Sequence, residues 1–223
     1  MLVRLKSSPK QDAGPLAILA GDRVMCSDFQ YTKLTEIFGE GEAAEYVYQL
    51  TSGAVRTFKL LEDGRRQINA FHLPGDIFGI ESGDVYRFSA DAILDTAVRI
   101  VKQHNLFDGF DQLDVGLTTR LLRLVTSNLR HAEDHLLLLG RKTSVEKVAT
   151  FLLEMDERIG SPPMMSLPMP RRDIADYLGL TVETVSRALA KLRNRNLIRV
   201  AGVSQRVLVL LDRCALAEVN EPD

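Results

Sequence analysis

The sequence predicts an α+β chain: a small antiparallel β domain, then one long helix, then a C-terminal winged helix-turn-helix. Three observations carry that expectation. Glycine-marked turns at Ser52-Gly53, Asp63-Gly64 and Pro74-Gly75 stand eleven residues apart. From Leu113 to Leu139 apolar residues recur at spacings of three and four, with no proline. After Gly160-Ser161-Pro162-Pro163, two short amphipathic segments meet at Gly179 and are followed by a hairpin pattern. Short strands at regular 8–12-residue spacing mark a sandwich or barrel, and a shift to 3–4 spacing marks a helix.

In the β domain, strands are expected at Tyr46–Leu50, Val55–Leu61, Gln67–Leu73 and Asp95–Lys102, with a short helix around Tyr31–Phe38 ahead of them. In the second strand Ala54, Arg56, Phe58 and Leu60 alternate with Val55, Thr57 and Lys59.

The long helix carries two stripes. Leu122, Val125, Leu129, Ala132, Leu136 and Leu139 form a seven-residue repeat on one side. Beside it run Leu117, Leu121, Leu124, Asn128, His131, His135 and Leu138. Two apolar stripes need two surfaces. One solution sets one stripe on the chain's own β domain and the other on a second copy. The other is a helix wedged between two domains of one chain. The first stripe has no charge to repel an identical helix, which favours a homodimer that forms without a ligand.

Composition excludes several classes. The 223 residues are 45% hydrophobic and 26% charged, ordinary for a globular protein. The run Leu136–Leu139, like every other wholly apolar run, none of them beyond five residues, is too short for a membrane span. The apolar stretch Leu16 to Ala20, after Arg4 and Lys6, is too short for a secretion signal, so a cytoplasmic protein is expected. Two cysteines, Cys26 and Cys214, cannot build a disulfide framework, and four histidines leave no metal site in view. The net charge of −2 hides a segregation: Arg171–Arg206 holds eight basic and three acidic residues, or +5. Such a stretch is either a phosphate footprint or a solvated face.

That stretch contains the chemistry. An amphipathic helix is expected over Ser144–Ile159, stopped by Gly160. Within Arg171–Leu192 a short first helix then has Ile174, Ala175 and Leu178 inward. Gly179 suits a tight turn, Thr181 suits a helix cap, and Val185, Leu189 and Leu192 form the inner face of a second helix. Leu197–Val200, the Ala201-Gly202 turn and Gln205–Leu211 complete a wing. On the outer face, Glu183, Ser186 and Arg187 are the residue types that read base edges. Arg pairs with guanine, Glu accepts from cytosine, and Ser meets either strand. Arg171, Arg172, Thr181, Thr184, Lys191 and Arg193 flank them as candidate phosphate contacts. A plain Glu183–Arg187 surface pair at i and i+4 is the bland alternative.

The stretch Asp173–Arg187 resembles the signature of the Crp/Fnr transcription regulators. Gly64-Arg65-Arg66-Gln67-Ile68 and Phe71–Gly79 resemble that family's FixK branch. The resemblance covers nearly the whole chain. It implies a β-roll of the cyclic-nucleotide-binding (jelly-roll) type over residues 1–112, a dimerisation helix over 113–139 and a winged helix-turn-helix over 140–223. It further implies a homodimeric regulator, mainly an activator, of low-oxygen, nitrogen-fixation and respiratory genes. Its operator would be a TTGAT-N4-ATCAA palindrome in double-stranded DNA, read by Glu183, Ser186 and Arg187. RNA polymerase would be the second partner, with the loop Glu81–Tyr86 either its contact or a plain hairpin loop.

Two sensing modes of that family meet obstacles here. Cys26 is the only cysteine in the N-terminal half, too few thiolates for an iron–sulfur cluster. Cyclic-AMP-binding members carry Gly-Glu followed by Arg-Ser or Arg-Thr. Here Ile80 separates Gly79 from Glu81, and Phe88 separates Arg87 from Ser89. His72, His104, His131 and His135 read as structural or surface residues, and Cys26, with only Arg23 nearby in sequence, as a quiet thiol. The chain is therefore expected to act without cofactor or bound effector; a regulator gated by a small ligand in the β-roll is the alternative. A cupin-type enzyme would need metal ligands that the β half, with only His72 and His104, does not offer. A protein-binding adaptor would have no use for the polar trio.

Overall fold

The computed structural model describes residues 3–4, 16, 26–107, 115–201 and 206–219. Lys6, residues 17–20, Arg23, Leu113, Gly202, Gln205 and the side chains of Arg4 and Leu117 lie outside the described residues. The chain divides into two compact units, Met1–Leu129 and Arg130–Asp223.

The first unit is a roll of two antiparallel sheets. Its strands are β1 (Val3–Arg4), β2 (Ser27–Tyr31), β3 (Glu36–Phe38), β4 (Tyr46–Ser52), β5 (Val55–Leu60), β6 (Arg66–His72), β7 (Ile77–Phe78), β8 (Ser89–Ala92) and β9 (Thr96–Lys102). One sheet runs β1-β2-β9-β4-β7 and the other β3-β8-β5-β6. The three glycines of the even spacing all have positive φ: 90° at Gly53, 81° at Gly64 and 102° at Gly75. At Gly53 a side chain would also collide with Thr96, since a Cβ there would lie 2.5 Å from the Thr96 Oγ1. Between the sheets, Tyr31, Phe38, Tyr48, Phe78 and Tyr86 pack with Leu50, Val55 and Val98. The Phe38 and Tyr86 rings stack with centroids 3.8 Å apart.

Tyr31–Phe38 is not a helix. β2 ends at Tyr31, the chain turns through Leu34 at φ 64°, and β3 begins at Glu36. The Leu34 amide donates to the Ala92 carbonyl at 2.8 Å, and Tyr31 and Phe38 are both buried in the aromatic core. Tertiary pairing outweighs the local pattern here. The alternation expected in β5 also fails: Val55 to Phe58 are all buried, since Arg56 is paired with Asp91 at 2.9 Å and Thr57 lies against His72, so that both faces of the strand are covered.

Helix α1 (Gln103–Phe107) follows β9, and α2 (Val115–Arg141) is the long helix. In the first unit, Leu121 and Leu124 of α2 pack with Leu16, Val47, Ile77, Val101 and Leu106. In the second, Leu138 is buried and His135 stacks on Tyr177. These residues all belong to the stripe that begins at Leu117. The neighbouring stripe lies open: Leu122, Val125, Leu129 and Leu136 are 65%, 54%, 57% and 71% exposed. Ala132 is exposed as well, while Leu139 is half-buried, 3.7 Å from where a Gly179 side chain would begin.

The second unit continues with α3 (Ser144–Ile159), β10 (Met165–Ser166), α4 (Arg171–Leu178), α5 (Val182–Asn194), β11 (Ile198–Ala201), β12 (Val207–Leu210) and α6 (Arg213–Ala217). Thr143 and Glu146 form a reciprocal capping box on α3, and Gly160 at φ 88° ends it. The wing is a three-stranded sheet in the order β10-β12-β11, and β10 is a strand the sequence pattern did not signal. At two residues it is too short to show alternation. The buried Asp156 of α3 takes both ends of a fork from Arg213, at 2.7 and 3.0 Å, which ties α6 to α3. Among the described residues no helix is long and apolar enough to cross a membrane.

Candidate nucleic-acid interface

The helix-turn-helix is built from three local decisions. α4 starts after Pro170 and buries Asp173, Ile174, Ala175, Tyr177 and Leu178. It ends at Gly179, left-handed at φ 63° and ψ 38°, a conformation that costs a residue with a side chain more than it costs glycine. Thr181 then caps α5, its Oγ1 accepting the Thr184 amide at 3.2 Å. α5 buries Val185, Ala188, Leu189 and Leu192, packing against α3 and α4. This inner face is the one its spacing predicts.

What remains on α5 is polar. Glu183 and Arg187 are exposed, and Ser186 and Thr184 are half-buried. Arg172, Thr181, Lys191 and Arg193 are also exposed, and Arg171 is half-buried. The trio is already held by its neighbours. Arg187 Nη2 donates to Thr184 Oγ1 at 3.4 Å, and Thr184 Oγ1 lies 3.0 Å from Thr181 Oγ1. Hydrogen bonds to the Glu183 carboxylate, from its own amide and from the Thr181 hydroxyl, hold its pKa below the usual carboxylate range, and the nearby Arg187 adds to that. A guanidinium only donates and a carboxylate only accepts. The proton order that satisfies every group therefore runs Arg187 to Thr184 to Thr181 to Glu183. Arg171 Nη1 donates to Ser186 Oγ at 3.1 Å. Sequence reasoning placed these residues side by side but missed their bonds. The three-residue spacing of Thr181 and Thr184 is the signal that would have found the first link.

In the β-roll, the Glu81 and Arg87 side chains pair with each other. Arg87 Nε donates to Glu81 Oε2 at 2.7 Å, and the Arg87 amide reaches Oε1 at 3.2 Å. Glu81 is buried, whereas the Arg87 side chain is 71% exposed. A cyclic phosphate held there would have to compete with a carboxylate already in place. Glu81 and Tyr86 are both buried, so only 82–85 of the Glu81–Tyr86 loop is exposed.

His72 Nε2 lies 3.2 Å from Thr57 Oγ1, and the ring stacks on Phe78. Cys26 is half-buried and its thiol pKa is raised by that burial, with Arg99 pulling it down and Asp28 pushing it up. Its basic neighbour is thus Arg99 from β9, a pairing across strands that sequence adjacency does not show. Among the described residues no group of three or more His, Cys, Asp or Glu is placed to hold a metal ion.

Two family models match the chain, the cyclic nucleotide-binding domain over residues 29–110 and the Crp-like helix-turn-helix domain over 146–219. The nitrogen fixation regulation protein FixK of Rhizobium meliloti is 42% identical over 185 residues, 83% of this chain and 82% of that protein. The protein of the same name from Azorhizobium caulinodans is 46% identical over 195 residues, covering 85% and 77%. The structure of FixK2 from Bradyrhizobium japonicum superposes with a TM-score of 0.83 at 54% identity, covering 90% of this chain and all 100% of that one. Fold, helix-turn-helix and relatives agree: this chain is no enzyme but belongs to the Crp/Fnr family of transcription regulators, in its FixK-like branch.

Proposed function

We propose that this chain is a cytoplasmic, homodimeric activator that binds a TTGAT-N4-ATCAA-type palindrome without an effector and controls genes of low-oxygen metabolism, nitrogen fixation and respiration. The observation that carries the DNA reading is the outer face of α5, where Glu183, Ser186 and Arg187 stand together on a helix whose other face is buried. A recognition helix places such residues in the major groove. Arg187 reads the guanine of the half-site, Glu183 accepts from the paired cytosine, and Ser186 meets a thymine. Arg171, Arg172, Thr181, Thr184, Lys191 and Arg193 contact phosphates and fix the register.

The dimer reading rests on the open stripe of α2. Leu122, Val125, Leu129, Ala132, Leu136 and Leu139 meet the same residues of a second copy, which a two-fold axis would bring together for two half-sites. Effector independence is supported by the Glu81–Arg87 pair and by the tyrosine and phenylalanine rings packed between the sheets. The names of the FixK relatives support the gene class. The exposed residues 82–85 are the contact offered to RNA polymerase.

Footprinting of the ligand-free protein on a duplex carrying the palindrome tests this. Protection centred on the palindrome, lost when either half-site is scrambled, is the expected result. Protection without sequence preference would overturn the reading.

A further inference from the structure

We propose that Arg171 is a positioning residue that fixes the hydroxyl of Ser186 as a hydrogen-bond donor toward DNA, making Ser186 selective for a base edge that presents an acceptor. The proposal deepens the half-site reading above and rests on it.

A serine hydroxyl is ambiguous by itself. It donates one proton and accepts at two lone pairs, so it can face a thymine O4 or a cytosine N4 amine equally well. Arg171 biases that choice: its cationic N–H fills one of the two lone pairs and its charge opposes a second donor at the other, which leaves the proton as the favoured contact. Its Nη1 lies 3.1 Å from Ser186 Oγ, and a guanidinium has donors only, so the oxygen must accept. The serine proton must then point elsewhere. Among the described residues, Arg171 is the one hydrogen-bond partner of the Ser186 side chain. The proton is therefore left for an acceptor outside the protein.

The placement makes the constraint firm. Arg171 is the first residue of α4 and Ser186 lies in the second turn of α5, so the bond bridges the two helices of the motif. Both side chains are half-buried, which limits their rotamers. Glu183 and Arg187 already have fixed polarity as an anion and a cation. With Arg171 in place, Ser186 joins them as a preferred donor, one lone pair filled and the other beside a cation. Arg171 keeps further N–H groups for a phosphate, so its two roles do not compete.

The test uses a base-pair change that exchanges acceptor and donor across the major-groove edge and keeps the methyl group, with Ser186→Ala reporting which part of the effect passes through the serine. Each thymine of the half-site is replaced in turn by 5-methylcytosine paired with guanine. The methyl group stays in the major groove while the acceptor O4 becomes a donor amine. Binding of the full-length protein is measured by fluorescence anisotropy at fixed salt, with Arg171→Met, Arg171→Lys and Ser186→Ala alongside wild type. At one thymine, wild type is expected to lose on the order of tenfold in affinity. Ser186→Ala and Arg171→Met reduce that penalty to about twofold, by losing the hydroxyl in one case and freeing it to accept in the other. Arg171→Lys, still a pure donor, keeps it. A merely structural role would weaken all duplexes together and leave the penalty unchanged. If Arg171→Met keeps the full penalty, or if Ser186→Ala does, the proposal is overturned. If wild type does not separate the palindrome from a scrambled duplex, the half-site reading itself has failed.

Discussion

His135 of α2 lies flat on Tyr177 of α4, with ring centroids 4.0 Å apart, planes 9° from parallel, and its Nε2 3.0 Å from the Tyr177 carbonyl oxygen. A carbonyl only accepts, so Nε2 carries the proton in this contact. Burial holds the imidazole pKa below its ordinary value; the Tyr177 carbonyl raises it in part, and His131 lowers it further. Burial therefore favours neutral His135, against the pull of the Tyr177 carbonyl. Above the unfolded value near ~6.5 both states are neutral and its contribution is fully present. As pH falls from there through the folded value, the unfolded chain takes up the proton first and stability is lost. Thermal unfolding between pH 8 and 5.5 is expected to show a steeper fall in Tm for wild type than for His135→Gln. Equal slopes would remove His135 as the titrating group.

The recognition face gives a sharper contrast between two side chains. Arg187→Ala is expected to weaken specific binding by ~1–3 kcal/mol and to relax the preference at guanine. Lys191→Ala is expected to weaken all sequences about equally and to flatten the salt dependence by one phosphate contact. Binding isotherms on matched and mismatched duplexes at two salt concentrations separate the two. Unchanged selectivity in Arg187→Ala would remove that residue from base reading.

The open stripe of α2 predicts an assembly. Leu129 is 57% exposed in the single chain and sits mid-stripe, so Leu129→Glu places two like charges at the centre of a two-fold contact. Sedimentation at low micromolar concentration is expected to give a dimer for wild type, without any ligand, and a monomer for the variant. A wild-type monomer under those conditions would contradict the dimer.

Two glycines of the β-roll separate backbone strain from steric clash. At Gly64, φ 81°, nothing lies within 4 Å of the place a Cβ would take, whereas at Gly53, φ 90°, Thr96 and the Asp95 carbonyl stand within 2.7 Å of it. Gly64→Ala is expected to cost about 1 kcal/mol through its backbone alone, and Gly53→Ala clearly more, by ~1–3 kcal/mol. Urea unfolding measures both, and equal losses would mean that β5 and β9 give way freely at Gly53.

Much of this molecule is legible in its sequence because local rules and tertiary structure agree there. The eleven-residue glycine spacing marks turns that do need positive φ. Leu121, Leu124, His135 and Leu138 of one stripe of α2 are packed within the units, while Leu122, Val125, Leu129 and Leu136 of the other are open. Gly179 and Thr181 occupy the turn and cap that their chemistry suggests. The failures have a common cause, which is contact between residues distant in sequence. Tyr31–Phe38 is drawn into a strand, turn and strand by β8, β9 and the aromatic core. β10 exists only because β12 pairs with it. Arg171 meets Ser186 and Arg87 meets Glu81 through turns whose geometry no spacing rule supplies.

The most direct test is fluorescence anisotropy of the ligand-free protein with a TTGAT-N4-ATCAA duplex near ~0.15 M salt, against a scrambled duplex and with or without cyclic AMP. Tight and selective binding, unchanged by cyclic AMP, is the predicted result. Weak or unselective binding that cyclic AMP restores would contradict it, and would assign the β-roll the gating role that the Glu81–Arg87 pair argues against.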